Sequence, residues 1–467
     1  MNLTFRNFQR VHLVGIGGSG MSGIAEVLLS SGYAVSGSDM KATSVTEHLV
    51  RLGAQFQEGH RAENVHGAQV VVISSAVPAD NVEVVEAHKQ KIPVIPRAEM
   101  LAELMRLKHG VAVAGAHGKT TTTSMIAAVL GAAGLDPTFV VGGRVNHVGS
   151  HAQVGKGEFM VVEADESDRS FLLLAPAVAV ITTIDREHLD QYASLEEIQQ
   201  AFLQFANRVP FYGSAVLCLD EPNVQAIIPG IKRPVITYGT SSQADLVISD
   251  VKLDGLSSHF RLTFRGEDLG LFTLPSPPGI HNVRNAAAAS AVALSLNVPA
   301  ELIRTGLGNF AGVGRRFEIR GPYNGVTLID DYGHHPAEIR ATLTAARGCN
   351  YKRLLVLFQP HRYTRTQGLW DDFSRSFNEA DLLVLTEIYA AGEVTIAGVS
   401  GEKLAEAVSA SGHKAVTFCS TMQSAMDFIL REARTGDAVL TIGAGSVGRL
   451  PEQLAMLLES KVPTIAD

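Results

Sequence analysis

Short runs of valine, isoleucine, leucine and alanine recur along this 467-residue chain, and stretches with helical spacing separate them. The clearest are Val11 to Val14, Val70 to Ile73, Val111 to Ala114, Met160 to Val162, Val178 to Ile181, Leu354 to Phe358, Leu382 to Leu385 and Val439 to Ile442. A strand that is apolar on both faces must be covered on both, so the pattern predicts parallel sheets flanked by helices. The segment Ala244 to Leu274 departs from it. There Ser258-His259-Phe260-Arg261-Leu262-Thr263-Phe264 alternates, and a turn is expected at Arg265-Gly266-Glu267-Asp268, which predicts appended antiparallel strands. Three apolar runs end in glycine-rich turns, at Gly15, Gly115 and Gly443, one for each of three α/β domains. Their boundaries are expected at 1–107, 108–317 and 318–467.

Composition narrows the class of partner. A formal charge of -8 with no basic block argues against nucleic acid, which needs a clustered positive footprint. Cys218, Cys349 and Cys419 are too few and too scattered for a disulfide framework or a C-x-x-C site. No leader-like segment opens the chain, and the longest apolar stretch, Phe171 to Ile181, is too short to span a bilayer. A cytoplasmic protein without membrane insertion is expected.

The strand-like run ending at Ala114 passes directly into Gly115-Ala116-His117-Gly118-Lys119-Thr120-Thr121 and then into helix-forming residues. Glycines let successive backbone N–H groups curl around phosphate oxygens. Lys119 neutralises terminal phosphates, and Thr120 offers a hydroxyl to Mg²⁺ at the positive end of the helix. The loop is a shortened form, with Val113 where the standard spacing has glycine. Glu163 closes a strand and opens the acidic run to Asp168, where a carboxylate beside a phosphate loop is placed to hold Mg²⁺. The rest of that run reads as a solvated loop.

Gly15-Ile16-Gly17-Gly18-Ser19-Gly20 matches the dinucleotide fingerprint, with Asp39 at the end of the next strand. Physically it requires only a diphosphate at a helix N-terminus and an acid for a ribose, so NAD(P) and a nucleotide sugar both satisfy it. His60 and the pair Ser74-Ser75 can add polar contacts on the same face. The third turn, Gly443 to Gly448, has one helix after it and cannot complete a dinucleotide site; it packs a helix close to a sheet. Asn282 and Asn285, three apart on an alanine-rich helix, either cap it or meet adenine. Arg315-Arg316 is either a surface pair or a guanidinium source for a γ-phosphate. The clusters Asp330 to Pro336 and Gln359 to Arg365 follow two strands expected to be adjacent, and the arginines suit a small carboxylate.

Taken in order, these motifs resemble the Mur ligase family over the whole chain. The resemblance rests on the turns at Gly15 and Gly115, on Glu163 and His188, and on His281-Asn282 with Asn285. Arg316-Phe317-Glu318 and the runs Asp330 to Pro336 and His361 to Arg365 complete it. It implies a Rossmann-like first domain, a P-loop ATPase domain with an added antiparallel sheet, and a Rossmann-like last domain. It also implies ATP- and Mg²⁺-dependent formation of an amide between UDP-N-acetylmuramate and L-alanine, a step of peptidoglycan precursor synthesis, by a monomer or homodimer.

Gly17, Gly18, Ser19, Asp39, His60 and Ser74 would then bind the UDP-sugar, and Gly115 to Thr121 the ATP phosphates. Thr120 and Glu163 would hold one Mg²⁺ and His188 a second. Asn282 and Asn285 would face adenine, Arg316 the γ-phosphate and Asp331 the ribose. Tyr332, His334, His361, Arg362 and Arg365 would form the amino-acid pocket. Several Mur ligases carry a carbamoylated lysine downstream of the position of His188, whereas no lysine occurs here between Lys156 and Lys232. The alternatives are a sister ligase taking another amino acid or a peptide, an NAD(P)-dependent nucleotide-sugar oxidoreductase, and a non-catalytic nucleotide-binding protein.

Overall fold

The computed structural model describes residues 9–74, 76–145, 150–187 and 191–460. Three sheets follow one another along the chain, as the apolar runs predict. The first is wholly parallel, in the order β3-β2-β1-β4-β5, and comprises β1 (Arg10–Val14), β2 (Ala34–Asp39), β3 (Gln55–Glu58), β4 (Val70–Ile73) and β5 (Val94–Pro96). Its order reverses between β1 and β4, which opens a crevice at the carboxyl end of β1.

The middle sheet has ten strands. They are β6 (His109–Ala114), β7 (Thr138–Val145), β8 (Ser150–Gln153), β9 (Phe159–Glu163), β10 (Val178–Ile181), β11 (Ser214–Cys218), β12 (Val235–Gly239), β13 (Leu246–Asp254), β14 (Ser257–Phe264) and β15 (Glu267–Leu274). Their order is β15-β14-β13-β12-β11-β10-β6-β9-β7-β8. Its centre is parallel, with β6 between β9 and β10, and the expected extra strands extend one edge. Arg265 and Gly266 turn β14 into β15 with positive φ at both positions, the geometry that matches strand twist in a two-residue hairpin. The third sheet, β16-β17-β21-β18-β19-β20, has one antiparallel edge strand. It is built from β16 (Glu318–Tyr323), β17 (Val326–Asp331), β18 (Leu354–Phe358), β19 (Leu382–Thr386), β20 (Val416–Cys419) and β21 (Ala438–Ile442).

The three sheets fall into two compact units. One runs to Asp250 and includes Phe260–Thr273 and Arg284–Ala311; the other comprises Val251–His259, Leu274–Val283 and everything from Gly312 onward. Within the first unit, helix Ser19–Ser30 lies against β7 and β8, so the first two sheets pack together. Among the described residues, no helix is long and apolar enough to cross a membrane.

Strand order in the third sheet departs from the expected adjacency. The strands preceding the two C-terminal polar clusters, β17 and β18, are not neighbours, because β21 lies between them and pairs with both. The chain inserts its last strand into the centre of the sheet, a long-range choice that no local pattern reports.

The loop carrying the acidic run is fixed by packing. After Glu163 the chain enters a short 3₁₀ turn, Ser170–Leu173, whose Phe171 is buried against Phe202 and Phe205 of helix Leu195–Asn207, with ring centroids 5.2 and 5.1 Å away. Replacing Phe171 by alanine removes the anchor and leaves a cavity beside Phe202 and Phe205, so stability should fall by about 3–5 kcal/mol. Denaturant unfolding of the variant beside the parent checks this, and an unchanged midpoint would contradict the anchoring role.

Candidate functional site

The turn that follows β6 is flanked on both sides by strand ends, β9 leading to Glu163 and β10 to Thr182 and Thr183. Those neighbours shape it. Ala116 N donates to Thr183 O at 3.0 Å and His117 N to Thr183 Oγ1 at 2.8 Å, while Thr182 Oγ1 donates to His117 O at 2.5 Å. Gly115 has φ 139° and Gly118, the N-cap of helix Lys119–Ala132, has φ 83°. A Cβ on Gly118 would lie 2.6 Å from Asn285 Oδ1, so only glycine leaves the cradle open at this point.

Lys119 lies folded back across the loop. Its Nζ donates to Gly115 O at 2.6 Å and forms an ion pair with Glu166 Oε1 at 2.7 Å. Burial works against its charge, but Glu166, Glu163 and Asp165 outweigh that effect and hold the ammonium above its usual range. Glu166 is the residue that sequence reasoning missed. Far from a solvated loop position, it is 3% exposed, and Tyr192 Oη donates to its backbone carbonyl at 2.7 Å. The dense acidic run conceals the alternation that would have separated it from Asp165 and Asp168.

Thr120 Oγ1 donates to Glu163 Oε2 at 2.9 Å, and Gly142 N donates to the same oxygen at 2.8 Å. A hydroxyl and a carboxylate side by side at the mouth of a phosphate loop form the oxygen donor set that a hard divalent cation takes, so the residues present fit Mg²⁺. Thr121 is buried just behind them. Asn285 reaches the loop and accepts from Thr122 Oγ1 at 3.2 Å. Asn282, one turn earlier on helix Ile280–Ser295, donates to Pro278 O at 2.8 Å and so also braces the start of its own helix. His188 lies outside the described residues.

In the first sheet, Gly15 N and Ile16 N both donate to Ser38 O, and Gly17 N donates to Asp39 Oδ2 at 2.9 Å. The end of β2 thereby holds the glycine turn, while Gly18 and Ser19 open the following helix. His60 lies just beyond β3. Ser74, after β4, lines a cavity of about 150 Å³ together with Ile73, Arg97 and Asp168. Arg97 is 3.7 Å from Asp165.

In the second unit, the Arg315-Arg316 pair divides into two roles. Arg315 is pinned by Asp330 Oδ2 at 3.2 Å and Gly443 O at 2.6 Å, whereas Arg316 reaches only 3.9 Å from Glu338 Oε1; both guanidiniums lie 5.1 Å over the Tyr332 ring. Asp331 is buried and accepts from Phe317 N at 2.8 Å and Gly333 N at 2.7 Å, so its carboxylate also clamps the turn. Burial raises its pKa, against the pull of Arg316.

The rings of His334 and His361 meet at 5.9 Å, although their strands are separated by β21. His361 stacks on Tyr389 at 5.5 Å, and Arg365 Nη1 lies 3.2 Å from His361 Nδ1. Burial pushes His334 down to about 3; burial, with Arg365 and Arg362 beside it, pushes His361 down to about 4. Both imidazoles are therefore neutral at pH 7. Arg362 takes φ 69° and donates its N–H to Tyr389 O at 2.8 Å. Tyr389 itself lacks any motif that sequence could flag.

Comparison with known proteins adds three kinds of match. The model of the Mur ligase family catalytic domain matches residues 10–109, that of the Mur ligase middle domain 113–293, and that of the Mur ligase glutamate ligase domain 315–445. The chain is 55% identical to the UDP-N-acetylmuramate--L-alanine ligase of Myxococcus xanthus, over 97% of its own length and 96% of the relative's. It is 54% identical to the protein of that name from Geobacter sp., over 98% and 99%. Among solved structures, UDP-N-acetylmuramate-alanine ligase from Thermotoga maritima superposes with a TM-score of 0.82 at 28% identity, covering 97% of this chain and 99% of that one. With matches running from the first sheet through the last, and relatives that share more than half its residues along nearly their whole length, the chain belongs to the Mur ligase family.

Proposed function

We propose that the protein joins L-alanine to the lactyl carboxylate of UDP-N-acetylmuramate at the expense of ATP, in peptidoglycan precursor synthesis. The single observation that carries the chemistry is the loop after β6, where an open glycine cradle, a charged and partly buried lysine and a hydroxyl–carboxylate pair stand together. The relatives' names supply the substrates. The glycine turn of the first sheet is then a diphosphate site for the UDP-sugar rather than a nicotinamide site. The three-part division at 107 and 317, with UDP-sugar, ATP and amino acid bound in that order along the chain, belongs to the same reading. So do a cytoplasmic location and a monomer or homodimer.

A carboxylate is a poor electrophile toward an amine, so it must first gain a leaving group. The lactyl carboxylate attacks the γ-phosphorus of ATP and ADP departs, leaving an acyl phosphate. The alanine amine adds to that carbonyl, and the tetrahedral adduct expels phosphate as the nitrogen loses its proton. Gly115 to Thr121 cradle the phosphates, Lys119 and Arg316 offset the charge of the transferring group, and Asn282 and Asn285 face the adenine. Asp331 offers its remaining lone pairs to the ribose. Thr120 and Glu163 would hold Mg²⁺, with His188 at a second ion, and ions bound there would supply positive charge to the phosphate oxygens. Tyr332, neutral His334 and His361, and the guanidiniums of Arg362 and Arg365 receive the amino acid, the arginines taking its carboxylate.

Phosphate release with ATP and UDP-N-acetylmuramate should be strong with L-alanine, weaker with glycine and L-serine, and absent with D-glutamate or a tripeptide. A preference for either of the last two would replace the reading with a sister ligase. Lys119→Ala should lower ADP formation by about 10³-fold or more, as expected when a phosphate-binding cation is lost. Glu163→Gln should leave metal-free nucleotide binding near normal and weaken the Mg²⁺-dependent increase in nucleotide affinity about tenfold. Titration calorimetry with a non-hydrolysable ATP analogue, with and without Mg²⁺, measures both quantities.

A further inference from the structure

A helix beside the first sheet carries a buried carboxylate with no part in the proposed catalysis. Glu83, the second residue of helix Val82–Lys89, is fully buried at the helix's positive end. Its Oε2 accepts from Ser38 Oγ at 2.6 Å and lies 3.0 Å from His60 Nδ1. Its Oε1 accepts from Asn64 Nδ2 at 2.5 Å and lies 3.7 Å from His12 Nε2. Burial opposes ionisation, but the nearby His12 ring and the bonds from Ser38 and Asn64 prevail and bring the pKa to about 2.

An ionised carboxylate can only accept, so the hydrogen between His60 and Glu83 resides on Nδ1. In the neutral ring the other nitrogen, Nε2, then carries a lone pair. That edge has no hydrogen-bond partner among the described residues, while the side chain is 21% exposed. His60 is therefore a fixed acceptor whose working edge is open.

Strand order says what it faces. The glycine turn follows β1, Asp39 ends β2, and His60 follows β3, three successive positions across the sheet; Gly59 N donates to Asp39 O at 2.8 Å and ties the last two together. A nucleotide with its diphosphate on the glycine turn and its ribose at Asp39 extends its base past the end of β3. We propose that Glu83, acting as a positioning residue, locks His60 as the acceptor for the N3–H of uracil, so that the pair selects uridine over cytidine nucleotides. The inference rests on the reading that this domain binds the UDP-sugar. Uracil presents a donor at N3 where cytosine presents a lone pair, and two lone pairs facing each other repel.

Competition of UDP and CDP against UDP-N-acetylmuramate, on the full chain, reads the selection directly. The parent should prefer UDP by about 10- to 100-fold, the range set by leaving one polar group mismatched. In Glu83→Gln the side-chain amide can donate to Nδ1, which moves the ring proton to Nε2. The preference should then shrink to about threefold or less, and the ¹⁵N spectrum of His60 should report the change of tautomer. His60→Ala removes the acceptor without disturbing the buried carboxylate's other bonds, and should abolish the preference even if Glu83→Gln does not fold. Equal competition by UDP and CDP in the parent, or a preference retained in His60→Ala, overturns the proposal. Competition by neither nucleotide, with alanine-dependent phosphate release intact, would instead defeat the placement of the UDP-sugar in this domain, and the proposal with it.

Discussion

A phosphate loop must keep its backbone amides open toward an anion while holding a lysine charged in a place that disfavours charge. Most of the first unit answers to that demand. The glycine at 118 leaves out a Cβ that would close the cradle against Asn285. Thr182 and Thr183 bind the back of the turn so that it cannot relax. Lys119 stays an ammonium because Glu166 sits against it, and Glu166 stays in place because Phe171 and Tyr192 anchor the loop that bears it. Core packing thus reaches the chemistry through a single ion pair.

The same economy recurs in the other two sheets, where strand ends rather than separate loops position the working groups. Asp39 bonds the glycine turn of its neighbour, and Asp331 bonds the backbone on either side of itself. Each carboxylate does structural work with some of its lone pairs and keeps others outside those bonds. Backbone hydrogen bonds thus orient these carboxylates, and pre-organised dipoles act more strongly than ones that must reorient.

Much of this was legible in the sequence. Every apolar run named at the outset became a strand, because runs apolar on both faces have few other ways to be buried. The phosphate loop was visible through its spacing, and the place of Glu163 beside it through the apolar run that it closes. What escaped were residues whose meaning depends on a distant partner. Glu83 reads as an ordinary acid in the first turn of a helix, and Glu166 as one acid among several; Tyr389 has no motif at all. The placement of β21 between β17 and β18 escaped for the same reason, since strand order is set by packing over more than a hundred residues rather than by local pattern.

That inserted strand gives the third glycine turn a different significance. Gly443 and Gly445 stand between the two polar clusters, and a side chain at 445 would collide with Gln359 and Tyr389. The turn acts as a spacer defined by missing volume: it contributes no reactive group, yet it leaves the room that Gln359 and Tyr389 occupy. Change at such a position is governed by size rather than by chemical kind, and even a methyl group there would press on both Gln359 and Tyr389.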